Sequence, residues 1–163
     1  MTKKYCKGSL PELTAAELPQ EHPLKTIGLT LGEKVIKAYE TLKFNEGCEE
    51  ILTLIRAGNK FIDEQAPWRL FKEGKQAEVE QILYGVLESV RLAAYLLAPI
   101  IPNLSSKIYE QLGFSVDFNQ SDRLNQVIPF THHSQWGKLA VNQNLSKPQP
   151  IFAKLDLPSE ENP

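Results

Sequence analysis

The stretch Asn59-Lys60-Phe61-Ile62-Asp63-Glu64-Gln65-Ala66-Pro67-Trp68-Arg69-Leu70-Phe71-Lys72 decides how this chain is organised. A proline disfavours helical backbone in the residue before it, so a helix arriving through Phe61 and Ile62 must stop near Gln65. The same Pro67 is suited to the first turn of a new, short helix running to Lys72, which Gly74 then ends. One helix closes and another opens within a residue or two. A helix N-terminus, an indole and several cations are thereby brought close together.

Upstream, apolar residues recur every three or four positions, the period of a helix with one buried face. Leu31, Val35, Ile36, Tyr39 and Leu42 form one such stripe. A second helix is expected from about Asn45, where Asn can cap and Glu49 and Glu50 suit the positive helix end, through Ile51, Leu52, Ile55 and Ile62. Downstream, residues 76–98 hold the most apolar text, from Ile82 to Leu97, and read as a central helix that Pro99 terminates. Pro102 opens a fourth helix through Ile108, Tyr109 and Leu112 to Gly113. Long helices with short links predict an all-α fold, an antiparallel bundle of four to five helices with extended N- and C-terminal segments. The division is a connecting segment over 1–28, a helical core over 29–114, and a C-terminal extension over 115–163 that packs on the bundle and frays at its end. Residues 149–155 alternate apolar and polar side chains as an edge strand would.

Composition bounds the function. The 163 residues are 42% hydrophobic and 23% charged, enough for one domain with a genuine core. No apolar run approaches the length of a membrane span and no apolar leader follows Met1, so no membrane partner is expected and the cytoplasm is the default address. Cys6 and Cys48 are too few for a disulfide framework and read as reduced thiols, Cys48 as a small core residue. Eighteen basic against twenty acidic residues give a formal charge of −2, so no global field attracts nucleic acid and any polyanion must be met locally. No phosphate loop and no nucleophile elbow occurs. His22, His132 and His133 lack a thiol or carboxylate at ligand spacing, so no metal site is assigned.

The quoted turn therefore carries the candidate site. Arg56 and Lys60 are four apart on the arriving helix, and Arg69, Lys72 and Lys75 follow the turn. A base can stack on Trp68 while these cations hold phosphates, the common way of binding single-stranded RNA loops. The same residues also admit a plainer reading, with Trp68 as a core aromatic and the cations as a solvated face.

This text resembles the anticodon-binding domain of methionyl-tRNA synthetases, whose members carry an Asn-Lys-(Tyr/Phe)-(Ile/Val)-Asp…Pro-Trp signature at the turn. Two further pieces are similar: Ala98-Pro99-Ile100-Ile101-Pro102 resembles the family's Pro-x-x-Pro link, and Trp136-Gly137…Lys147-Pro148-Gln149-Pro150-Ile151-Phe152 resembles its C-terminal ending. The resemblance implies that Trp68 stacks on a base of the methionine tRNA anticodon loop, with Asn59, Lys60, Arg56, Arg69 and Lys72 as further anticodon-binding candidates. Asn59 is equally open to a role in holding the turn through backbone hydrogen bonds, and Asp63 reads as a turn partner. The family's upstream helix, which carries an Asn and an Arg one turn apart, has no counterpart here. Neither its His-Ile-Gly-His nor its Lys-Met-Ser-Lys-Ser ATP motif occurs. The chain is thus expected to be a C-terminal fragment of a methionine–tRNA ligase, without catalytic residues or cofactor of its own, whose partners are the tRNA and the parent's catalytic domain. The resemblance implies that ATP, and zinc where the parent enzyme uses it, belong to that catalytic part. The competing function is a helical protein-interaction bundle in which Trp68 anchors an interface.

Overall fold

The computed structural model describes residues 2–6, 9, 11, 13–120, 129–139 and 144–151. Its elements are α1 (Thr2–Tyr5), α2 (Pro23–Glu40), α3 (Phe44–Gln65), α4 (Pro67–Lys72), α5 (Gln76–Leu97), α6 (Pro102–Gln111) and α7 (Phe130–His133). Among the described residues there is no strand, only an isolated antiparallel bridge between Ser9 and Asn144. The fold is the expected all-α bundle. Residues 149–151 of the expected edge strand lie in no strand, and 152–155 fall outside the described residues.

α2 and α3 form an antiparallel hairpin. Lys34 pairs with Glu50 across it at 3.0 Å, and His22 before α2 meets Phe61 near the end of α3, ring centroids 4.8 Å apart. α5 is central, packing against α1, α2, α3, α4 and α6. Its length is apolar enough to be buried nearly all round, as its sequence predicts. The core joins Leu24, Leu31 and Val35 of α2 to Ile51 and Leu54 of α3, Tyr84, Leu92 and Tyr95 of α5, and Tyr109 of α6. α6 returns antiparallel along α5, which brings the Tyr109 ring beside Tyr95. No helix is long and apolar enough to cross a membrane among the described residues.

Several sequence expectations need correction. α2 begins at Pro23 rather than near Leu29, because Pro23 occupies the first helical turn, where its missing N–H costs nothing. The segment before it is not wholly extended either, since residues 2–5 form α1. α3 begins at Phe44, after Lys43, and Asn45 makes no capping bond among the described residues. Leu52 points outward, and Leu54 fills the core in its place. Leu42 lies beyond α2 in the left-handed region, φ 58°, and is 76% exposed. Cys48 is only half-buried; both cysteines are free thiols.

Two glycines of α2 let the C-terminal segment approach. A Cβ at Gly28 would overlap the Trp136 ring, and one at Gly32 would overlap the Ser134 carbonyl. These glycines are four apart, so they share one helix face and form a shallow trough. Trp136 fills it and is buried.

α5 holds the same segment by a polar network. Glu88 and Arg91 are fully buried and paired at 2.7 Å. The Glu88 carboxylate accepts the backbone N–H groups of Gly137, Lys138 and Leu139 at 2.6, 3.1 and 3.0 Å. Arg91 donates to the carbonyls of His133 and Gln135, at 2.8 and 2.6 Å, and to the Tyr109 hydroxyl at 3.3 Å. Burial opposes the guanidinium charge, but Glu88 outweighs it and Arg91 is held protonated above its ordinary range. The i, i+3 spacing of two opposite charges inside an otherwise apolar helix was the available signal for this clamp.

Candidate nucleic-acid interface

The turn is built around one residue. Ala66 adopts the left-handed conformation, φ 45° and ψ 60°, and serves both helices. Its N–H donates to the Ile62 carbonyl, closing α3, while its own carbonyl accepts from Arg69 at 2.8 Å, opening α4. A single residue therefore reverses local direction between two helices. Pro67 disfavours right-handed helical backbone at Ala66, and Ala66 takes the left-handed region instead.

α4 is amphipathic. Pro67 and Leu70 are buried, Leu70 in a cluster with Cys6, Val79, Ile82 and Leu83, whereas Trp68 and Phe71 face outward. Trp68 is 40% exposed, and its indole N–H has no partner among the described residues. The core-aromatic reading thus applies to Trp136 and not to Trp68.

The candidate cations are distributed as follows. Arg56 forms a close pair with Glu49, Lys60 lies 3.6 Å from Glu64, and Arg69 lies 3.9 Å from Glu73, which also takes Lys75 at 3.0 Å. Lys72 makes no ion pair among the described residues. At 1.5 Å per residue, Arg56 stands about 14 Å along the axis from the end of α3, and Lys60 about 8 Å. All these pairs are solvent-exposed, and exposed pairs hold their partners weakly, so a phosphate can displace the carboxylate. The side chains of Asn59 and Asp63 are exposed and make no hydrogen bond among the described residues, so neither holds the turn as the sequence allowed.

Two of the histidines, His22 and His133, are buried in the bundle. His22 is buried against Gly85 and Phe61, and burial, then the charge of Lys25, lowers its pKa. His133 is buried beside Tyr95, Tyr109 and Arg91; burial, then the charges of Arg91, His132 and Lys138, lowers its pKa to about 4. Among the described residues no three His, Cys, Asp or Glu side chains converge as metal ligands would.

A family model described as the anticodon binding domain of methionyl tRNA ligase matches residues 19–162. The chain is 57% identical over 162 residues to a methionine–tRNA ligase of Synechocystis, covering 99% of this chain and 30% of that protein. Against the Nostoc methionine–tRNA ligase it is 53% identical, covering 96% of this chain and 29% of that one. The crystal structure of free Mycobacterium tuberculosis methionyl-tRNA synthetase superposes with a TM-score of 0.80 at 26% identity, over 97% of this chain and 30% of that one. A second structure, of that synthetase with methionyl-adenylate, shares the fold with a TM-score of 0.70. The chain spans about 30% of the length of the curated relatives it matches. Bundle, exposed-indole turn and matches together define a helical anticodon-binding module of the aminoacyl-tRNA synthetases. The chain belongs to the family of methionyl-tRNA ligase anticodon-binding domains.

Proposed function

We propose that this domain reads the anticodon loop of methionine tRNA by stacking a loop base on Trp68, and so couples tRNA identity to the catalytic domain of a cytoplasmic methionine–tRNA ligase. ATP, and zinc where that enzyme uses it, are handled by the catalytic part. The observation that carries this reading is the Trp68 ring, exposed on α4 while Pro67 and Leu70 beside it are buried. The exposed part of the indole offers a flat apolar face, and every base has a face that can stack on it. Lys60, Arg69 and Lys72 meet loop phosphates near the turn. Arg56 lies further along α3 and meets the strand beyond, and Asn59 uses its free amide toward the RNA.

The experiment is a titration of the methionine anticodon stem-loop with the chain and its Trp68→Ala variant. Removing one stacked base costs about 1–3 kcal/mol, so affinity falls by up to two decades. Equal binding with Ala at position 68 overturns the proposal. Stable self-association that ignores RNA and needs Trp68 would instead support the protein-interaction reading.

A further inference from the structure

Beside the indole lies a second aromatic surface. Tyr5 of α1 and Phe71 of α4 meet with ring centroids 4.6 Å apart and planes tilted by 40°. α1 is fixed there by Gln76, whose Nε2 donates to the Tyr5 carbonyl at 2.9 Å, and by Cys6, which is buried in the Leu70, Val79 and Ile82 cluster. Phe71 remains 37% exposed despite the Tyr5 contact, so part of its ring is open to a ligand. It follows Trp68 by three residues, which puts the two on neighbouring positions of one helix face, about 5–6 Å apart at Cβ. That spacing is within reach of adjacent nucleotides in an unstacked strand.

Charge selects the occupant. Arg56, Lys60, Arg69 and Lys75 each have a carboxylate partner, whereas Lys4 and Lys72 make no ion pair among the described residues. Lys4 Nζ lies 5.6 Å from the Tyr5 ring centroid, in cation–π range. The carboxylate near Cys6, Glu80, takes a hydrogen bond from Gln76 at 2.7 Å. A strip running from Lys4 across Tyr5 and Phe71 to Trp68 and Lys72 therefore flanks aromatic surface with cations that make no ion pair among the described residues. Protein interfaces are depleted in lysine, whereas single-stranded nucleic acid combines π-faces with phosphates and fits both components.

We propose that Phe71, braced by Tyr5, is a second base-stacking platform: it receives the nucleotide next to the one on Trp68, with Lys4 and Lys72 on the adjoining phosphates. The proposal rests on the RNA-binding reading of Trp68. To test it, the anticodon stem-loop carrying 2-aminopurine at one loop position at a time is titrated with the chain and its variants. Two loop positions are expected to be quenched on binding, one losing the response in Trp68→Ala and the other in Phe71→Ala. Affinity should fall about tenfold in Phe71→Ala and in Phe71→Leu, which keeps bulk but no π-face, and should persist in Phe71→Tyr. Lys4→Ala should flatten the salt dependence of log K by about 0.7, the share of one single-strand phosphate. Phe71→Leu binding like the unmodified chain, or a single responding loop position, overturns the second platform while leaving Trp68 in place. Trp68→Ala binding unchanged, or no quenching anywhere, overturns the RNA reading and this inference with it. RNA-independent dimerisation lost in Phe71→Leu would assign the strip to a protein contact instead.

Discussion

Glu88 and Arg91, one turn apart on α5, grip the same segment by opposite ends of its peptide groups: the carboxylate takes the N–H groups of residues 137–139, and the guanidinium takes the carbonyls of His133 and Gln135. Each charge is fully buried, so removing one strands the other without water. Glu88→Leu and Arg91→Met are each expected to cost about 3–5 kcal/mol, while the double replacement Glu88→Leu with Arg91→Met costs less than the sum. Urea unfolding of the four proteins measures the coupling. Additive effects would show that the two side chains do not act as a unit.

Gly28 tests the trough on α2. Gly28→Ala places a methyl group inside the Trp136 ring, so the ring or the helix must move, at about 1–3 kcal/mol. Thermal unfolding should show the loss, and Trp136 emission should shift to the red as the ring is displaced. Gly58→Ala, where a Cβ meets nothing within 4 Å, is the control and should be neutral or slightly stabilising.

Acid should weaken the fold as the pH falls below the ordinary histidine range. His133 is held at about 4 in the folded chain and returns to about 6.5 when unfolded. Between those values the unfolded state binds the extra proton, so stability rises with pH and is lost as pH falls from about 6.5 toward 4, by at most about 1.4 kcal/mol per unit from this residue. His22, also lowered by burial and Lys25, adds in the same direction. Urea midpoints from pH 7 to pH 4.5 measure the slope, and it should flatten in a His133→Gln variant that remains folded.

Ala66 sets where Trp68 points. Its left-handed backbone, φ 45°, suits glycine and tolerates alanine, whereas a β-branched residue is strained there. Ala66→Val should lose about 1–2 kcal/mol and weaken RNA binding with it, and Ala66→Gly should keep both. Stem-loop affinity measured beside thermal stability checks the pairing. Full binding by a folded Ala66→Val protein would mean that the turn does not orient the indole.

Much of the bundle was legible in the sequence because proline leaves few choices. Pro67, Pro99 and Pro102 mark helix ends correctly, and the bounds of α4 emerge from Pro67 and Gly74 alone. Pro23 was misread as a linker residue because it also suits a first helical turn, and only the buried Leu24, Gly28 and Leu31 beyond it distinguish the two. The turn and its exposed indole were readable from local text. The Tyr5–Phe71 contact and the Glu88 clamp were not, because they join residues 66 and about 50 positions apart, and no local period records such a pairing. Surface ion pairing was equally hidden: sequence counts cations, and only the fold shows which of them already face a carboxylate.

The division of labour between the two tryptophans has a practical side. Trp136 sits in the trough of α2 and Trp68 is partly exposed on α4, and the chain has no others. One molecule thus carries two native fluorophores of different environment, a buried one that reports whether the C-terminal segment is seated and an exposed one that reports occupancy of the turn. Quenching by an added solute should separate their signals, so that folding and ligand binding can be followed in a single unlabelled sample.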